Sequence, residues 1–121
     1  EVALKQHVAD KTHWQRMLKG VPEAVDLVAK RDEMYETCAQ ELAAILKQHD
    51  DDAITPLSDE PVVDISYPVA EYPDKVKSLN FDKTPEIEGV LMGIKGQYLI
   101  FDTGVLNIRK FSGYNVQLQT A

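Results

Sequence analysis

The chain of 121 residues has one cysteine, one tryptophan, no apolar run of membrane-spanning length and no surplus of positive charge. With Cys38 alone, an internal disulfide is excluded, and a lone thiol suits a reducing cytoplasm better than an oxidising compartment, so a cytoplasmic location is expected. No stretch has the length of a membrane span or the pattern of a secretory leader, so no membrane partner is expected. The formal net charge of −7 argues against a broad grip on phosphate backbones, because that affinity comes from lysines and arginines displacing condensed counterions. His7, His13 and His49 fall at no usual zinc spacing and Cys38 lies far from them in sequence, so neither a metal site nor a cofactor is expected. No nucleophile–base pair or paired acids are visible, and the chain by itself is not expected to be catalytic.

What is present is unevenly charged. Residues 1–71 hold 15 acids against 7 bases and residues 72–121 hold 5 acids against 6 bases, so the halves stand at −8 and +1. Polyanion binding, where it occurs, falls to the second half. The length suits one domain or two tightly packed subdomains, enough to bury a core without disulfides. The chain opens on Glu1 rather than Met, already inside a helix-like pattern, and is expected to be a fragment of a longer polypeptide.

Helical signals fill residues 1–49. In "EVALKQHVA", Leu4 and Val8 share a helical face. Thr12 stands three residues before Gln15, a capping-box spacing, and Gly20 is a natural left-handed stop. The run from Val21 to Gln48 reads as one long helix, with Pro22 in its first turn and Glu23 and Asp26 near its positive end. Val21, Val28, Tyr35 and Leu42 recur every seven residues with Ala24, Cys38 and Ile45 between them, which predicts a buried stripe broken by Arg31.

Residues 50–61 carry five acids, two prolines and no base, the texture of a surface linker. Asp50, Asp51 and Asp52 oppose the negative end of the preceding helix dipole and help to end it; a flexible triplet is not preorganised for magnesium. Residues 62–121 then offer short strands: Val62 to Ser66, Lys75 to Leu79, Glu86 to Ile94, Gly96 to Asp102, Val105 to Phe111 and Tyr114 to Gln119. Corners fall at Gly93 to Gly96, Asp102 to Gly104 and Ser112-Gly113, each short enough to join antiparallel neighbours. Tyr98 to Phe101 is apolar on both faces and should be the central strand or be covered by the long helix. The expected fold class is α+β, one integrated domain in which N-terminal helices, including one long helix, pack on a small antiparallel sheet or barrel.

One constellation carries a functional expectation. Lys75, Lys77, Lys83, Lys95, Arg109 and Lys110 are interspersed with Tyr72, Phe81, Tyr98, Phe111 and Tyr114. Aromatic faces stack on bases while cations neutralise phosphates, so Lys75, Lys77, Lys95, Tyr98, Arg109, Lys110 and Tyr114 are the candidate nucleic-acid contacts. The alternative is a protein–protein or self-association module that uses the apolar helical stripe or an open sheet edge.

The strings "EVALKQHVADKTHWQRMLKG" and "YPDKVKSLNFDKTPEIEGVLMGIKGQYLIFDTGVLNIRKFSGY" resemble the C-terminal portion of uncharacterised bacterial proteins of domain-of-unknown-function family twenty-seven-ninety-seven. The similarity spans nearly the whole chain apart from the acidic linker and the last few residues. It implies a longer N-terminal part with a cysteine-rich stretch and a segment reminiscent of GIY-YIG nucleases. In that fold a helical glutamate helps to hold a divalent metal, and the position here that could match is Glu1. The tyrosines, arginine and cysteines of the pattern would lie upstream, so the resemblance implies a non-catalytic accessory domain.

Overall fold

The computed structural model describes residues 1–9, 11–49 and 52–120. They show four helices and a three-stranded antiparallel sheet, an α+β architecture. The chain divides into two compact units, a helical unit of Glu1–Thr12 with Pro22–Asp64 and a β unit of His13–Val21 with Ile65–Ala121.

In the helical unit, α1 spans Val2–Lys5, α3 spans Leu27–Thr37 and α4 spans Ala39–Leu46; α2, Trp14–Met17, belongs to the β unit. The long helix expected from Val21 therefore starts six residues later. Asp26 sets the start: its Oδ1 accepts the Ala29 amide at 2.9 Å, satisfying a donor that the first turn leaves orphaned, so the side-chain cap prevails over Pro22. The helix is interrupted at Cys38, where φ is −96° and ψ 12°. Just before it, the Thr37 hydroxyl donates to the Glu33 carbonyl at 2.7 Å, a back-bond that bends helices. Helical bonding resumes at Cys38, whose carbonyl accepts the Leu42 amide at 2.9 Å.

The predicted buried stripe is largely exposed. Val21 lies outside any helix and is 81% exposed, Val28 and Tyr35 are exposed, and among the described residues of this unit only Cys38 is fully buried. The cause is legible in the helical wheel, because at 3.6 residues per turn Arg31 falls in the middle of the face formed by Leu27, Val28, Met34 and Tyr35. Its guanidinium donates to the Ser58 carbonyl at 3.1 Å and to Asp32 at 2.9 Å. Polar anchoring thus replaces apolar packing on that face.

In the β unit the sheet order is β1 (Leu91–Lys95), β2 (Tyr98–Phe101), β3 (Gly104–Asn107), all antiparallel, with the apolar β2 in the centre as expected. The first hairpin turns at Gly96-Gln97, not at Gly93 to Gly96; Gly96 has φ +58°, the left-handed backbone that a two-residue hairpin turn with glycine first requires. Register puts Gly93, Lys95, Tyr98, Ile100, Val105 and Asn107 on one face. Leu18, Tyr98, Ile100 and Val105 form the core there, with Trp14, Met17, Val69, Val76 and Met92 packed against it. The helix covering the sheet within its unit is therefore the four-residue α2, whereas α3 and α4 belong to the other unit. Fully burying a side chain such as Leu18 stabilises by roughly 1.5–3 kcal/mol.

Several expected strands do not form. Val62 to Ser66 and Tyr114 to Gln119 carry no strand, and Lys75 to Leu79 contributes only a single parallel bridge, Ser78 to Val105. The run from Val105 ends as a strand at Asn107, whose side chain accepts the Lys110 amide and starts a 3-10 turn, Ile108–Phe111. Short polar side chains of this kind compete with ladder bonding. Gly20, read as a left-handed stop, has no positive φ, and His13 rather than Thr12 stands at the N-cap position of α2, without a side-chain cap bond.

Both sides of the sheet are met by this chain's own backbone. Along β1 the Ala70 amide donates to the Met92 carbonyl and the Ile94 amide to the Pro68 carbonyl, at 2.8 and 2.9 Å. Along β3 the Val105 amide donates to the Lys77 carbonyl and the Leu79 amide to the Val105 carbonyl, both at 2.8 Å. Glycine permits these approaches. A Cβ on Gly93 would lie 2.7 Å from the Val69 Cα, and one on Gly104 2.7 Å from the Lys77 carbonyl oxygen.

Candidate functional site

The seven candidate nucleic-acid contacts all lie in the β unit, and the fold sorts them into two groups. Lys95 and Tyr98 face inward. Lys95 is 3% exposed, and its ammonium donates to the carbonyls of Met17 at 2.9 Å and Gly20 at 2.8 Å and to the Tyr72 hydroxyl at 3.4 Å. Those three acceptors use all three of its donors. The rings of Tyr72 and Tyr67 lie 4.9 and 5.6 Å from the nitrogen, so cation–π attraction adds to the carbonyl dipoles at the end of α2. Tyr98 stacks on Trp14 with centroids 5.6 Å apart and planes 6° from parallel.

The inward turn of Lys95 follows from register. With the turn at Gly96-Gln97, Lys95 pairs with Tyr98 and shares the core face with Ile100 and Gly93. Reading the corner at Gly93 to Gly96 leaves Lys95 at an exposed tip; the two-residue spacing between Lys95 and Tyr98 was the signal for the correct placement.

The remaining five stay at the surface. Lys75, Lys77, Arg109 and Lys110 are exposed, and Tyr114 is 51% exposed. Three rings organise this side of the unit: Phe81 meets Phe111 edge-on at 5.0 Å, and Phe111 meets Tyr114 edge-on at 5.2 Å. Phe111 is buried, Phe81 half-buried, and Lys110 lies over the Phe111 ring at 5.4 Å. The Tyr114 hydroxyl donates to the Asp82 carboxylate, which raises the phenol above its ordinary pKa, first through that hydrogen bond and then through the charge of Asp82. Asp82 was not singled out by sequence reasoning, because nothing local links it to a tyrosine 32 positions away.

A cleft of about 340 Å³ is lined by Lys77, Lys83, Asn80, Thr84, Glu86, Glu88 and neighbouring residues, with Asn80 and Lys83 flanking Phe81 and Asp82 in the chain. Among the described residues, Lys75, Lys77, Lys83 and Arg109 form no ion pair. These cations are free to meet a ligand's anion, with Glu86 and Glu88 limiting how many anions the cleft tolerates.

The other candidates are dispersed. Glu1 is exposed and precedes α1 without a side-chain cap bond. His7, His13 and His49 are exposed, and among the described residues no group of three His, Cys, Asp or Glu side chains could hold a metal ion. Asp50 and Asp51 lie outside the described residues, and Asp52 is exposed. Cys38 is buried, its thiol directed to the Ala3 carbonyl at 3.8 Å. Among the described residues, no helix is long and apolar enough to cross a membrane.

The family model described as protein of unknown function, DUF2797, matches residues 1–116. The chain belongs to this family. In this DUF2797 chain the match takes in both units, including the cleft and the Phe81, Phe111 and Tyr114 cluster. No curated protein and no solved structure matches the chain.

Proposed function

We propose that this DUF2797 chain is a non-catalytic accessory module that binds nucleic acid through its β unit, in a bacterial, cytoplasmic protein resembling GIY-YIG nucleases. The observation that carries the reading is the exposed set of cations around the aromatic cluster: Lys110 over Phe111, Arg109 beside it in the 3-10 turn, and Lys77 and Lys83 in the cleft. Exposed cations together with Tyr114, the half-exposed ring that meets Phe111, supply the two terms that hold nucleic acid, phosphate neutralisation and base stacking. The interface consists of Lys75, Lys77, Lys83, Arg109, Lys110 and Tyr114. Lys95 and Tyr98 support it from inside. Titration of labelled single- and double-stranded DNA and RNA at low salt should show binding that weakens as salt rises, and the double variant Arg109→Glu, Lys110→Glu should abolish it. Absence of binding to every probe, or an unchanged double variant, would overturn the reading.

A second reading is favoured by the helical unit, where Val25, Leu27, Val28, Leu57, Val62 and Val63 are exposed and only Cys38 among the described residues is fully buried. Apolar exposure on this scale marks association surfaces. This reading makes the chain a protein-association module through the helices rather than through a sheet edge, since both sides of the sheet are bonded to the chain's own segments. Molar mass from light scattering tests it: self-association should disappear in Leu27→Glu, Val28→Glu, and a monomer at all concentrations removes the self-association form.

A further inference from the structure

The sequence pattern names cations and rings without saying whether a duplex or a single strand would fit them. The geometry of the β unit separates the two. Duplex recognition places a helix or a β-ribbon in a groove. The exposed cations here sit instead around a concavity and on a 3-10 turn of four residues, Ile108–Phe111. The cleft of about 340 Å³ is at the small-ligand end of binding sites and is on the scale of one nucleotide.

Tyr114 is linked to that cleft through Asp82, which accepts the Tyr114 hydroxyl and directly precedes Lys83 of the cleft wall. The ring is held on two sides, by the edge contact with Phe111 and by the bond to Asp82, while half of its surface remains open. A ring fixed in this way is a platform that loses little freedom when a flat partner stacks on it. Only an unpaired base has a free face to offer.

We infer that the ligand class of this site is a single strand, one unpaired base stacking on Tyr114 while the adjoining phosphate is met by Lys83 and Lys77 at the cleft. The inference rests on the nucleic-acid reading above and names the form of its ligand. Asp82 orients the platform and, as a carboxylate, disfavours a phosphate beside the phenol oxygen, so the phosphate is met beyond it, at the lysines.

The test is fluorescence anisotropy of the whole chain with a short labelled oligonucleotide, alone and annealed to its complement, at low salt. The single strand should bind about tenfold more tightly than the duplex, the scale of one stacked base. Tyr114→Ala should lose about tenfold for the single strand, whereas Tyr114→Phe, which keeps the ring, should lose much less. Lys83→Glu should weaken binding and flatten its salt dependence, and thermal unfolding of each variant checks that the fold persists. Equal binding of the two forms, or equal losses in Tyr114→Ala and Tyr114→Phe, would overturn the inference while leaving the broader reading standing. Binding of neither form would overturn both.

Discussion

The β unit and the helical unit differ in what their apolar side chains touch. In the β unit, Leu18, Ile100 and Val105 are fully enclosed, and Tyr98, Leu106 and Phe111 nearly so. Its polar requirements are met internally as well, since Lys95 satisfies the carbonyls at the end of α2. In the helical unit the ties are polar and mostly local: the Asp26 cap, the Thr37 back-bond and the Lys30 to Glu33 pair, with the longer reach of Arg31 to Ser58. The difference teaches where rigidity comes from in this chain. A three-stranded sheet with one short helix across it closes a core, whereas helices with a cation in their apolar face do not.

The comparison can be broken by substitution. Leu18→Ala should have the largest effect, destabilising the β unit by about 2–5 kcal/mol. Trp14 is the single tryptophan and stacks on Tyr98, so denaturant titration followed by its fluorescence reads that unit directly. Retention of far-UV circular dichroism from α3 and α4 is the expected accompaniment, and loss of both signals in one cooperative step would remove the distinction between the units. Lys95→Met should follow, at about 1–3 kcal/mol, because the Met17 and Gly20 carbonyls lose their donor within the core. The same fluorescence titration checks it, with Lys95→Arg as the variant that keeps the charge.

Asp26→Ala sharpens the other side of the comparison. Loss of the cap should cost about 1 kcal/mol and show as reduced helical signal with unchanged Trp14 fluorescence. The smallest effect concerns Tyr114, whose hydrogen bond to Asp82 favours the protonated phenol. A group raised in the folded state contributes stability that is present below the unfolded phenol value and is lost as pH climbs through the higher folded value. Spectrophotometric titration should therefore find one tyrosine ionising late, and Asp82→Asn should return it toward the ordinary range.

Much of the fold was legible in advance. The α+β class, the antiparallel meander and the central place of Tyr98 to Phe101 follow from alternation and glycine spacing. What escaped is physical in each case. Asp26 offered a side-chain cap inside a stretch whose propensities were helical throughout, so the true start was hidden by the apparent one. Arg31 was visible as a break in the stripe, but its reach to Ser58 depends on a segment 27 residues away. At the candidate site, the surface cations Arg109 and Lys110 and the ring of Tyr114 could be read from composition alone. The burial of Lys95 could not be read without the register, because moving the turn by two residues takes this side chain from an exposed tip into the strand, on its core face.

The sheet has one further consequence. Pro68 to Ala70 and Lys77 to Leu79 occupy the two rims, seated against glycines that admit nothing larger. Among the described residues, β1 and β3 each exchange two backbone bonds with these segments, so a neighbouring chain that would extend β1 or β3 has first to peel one of them away.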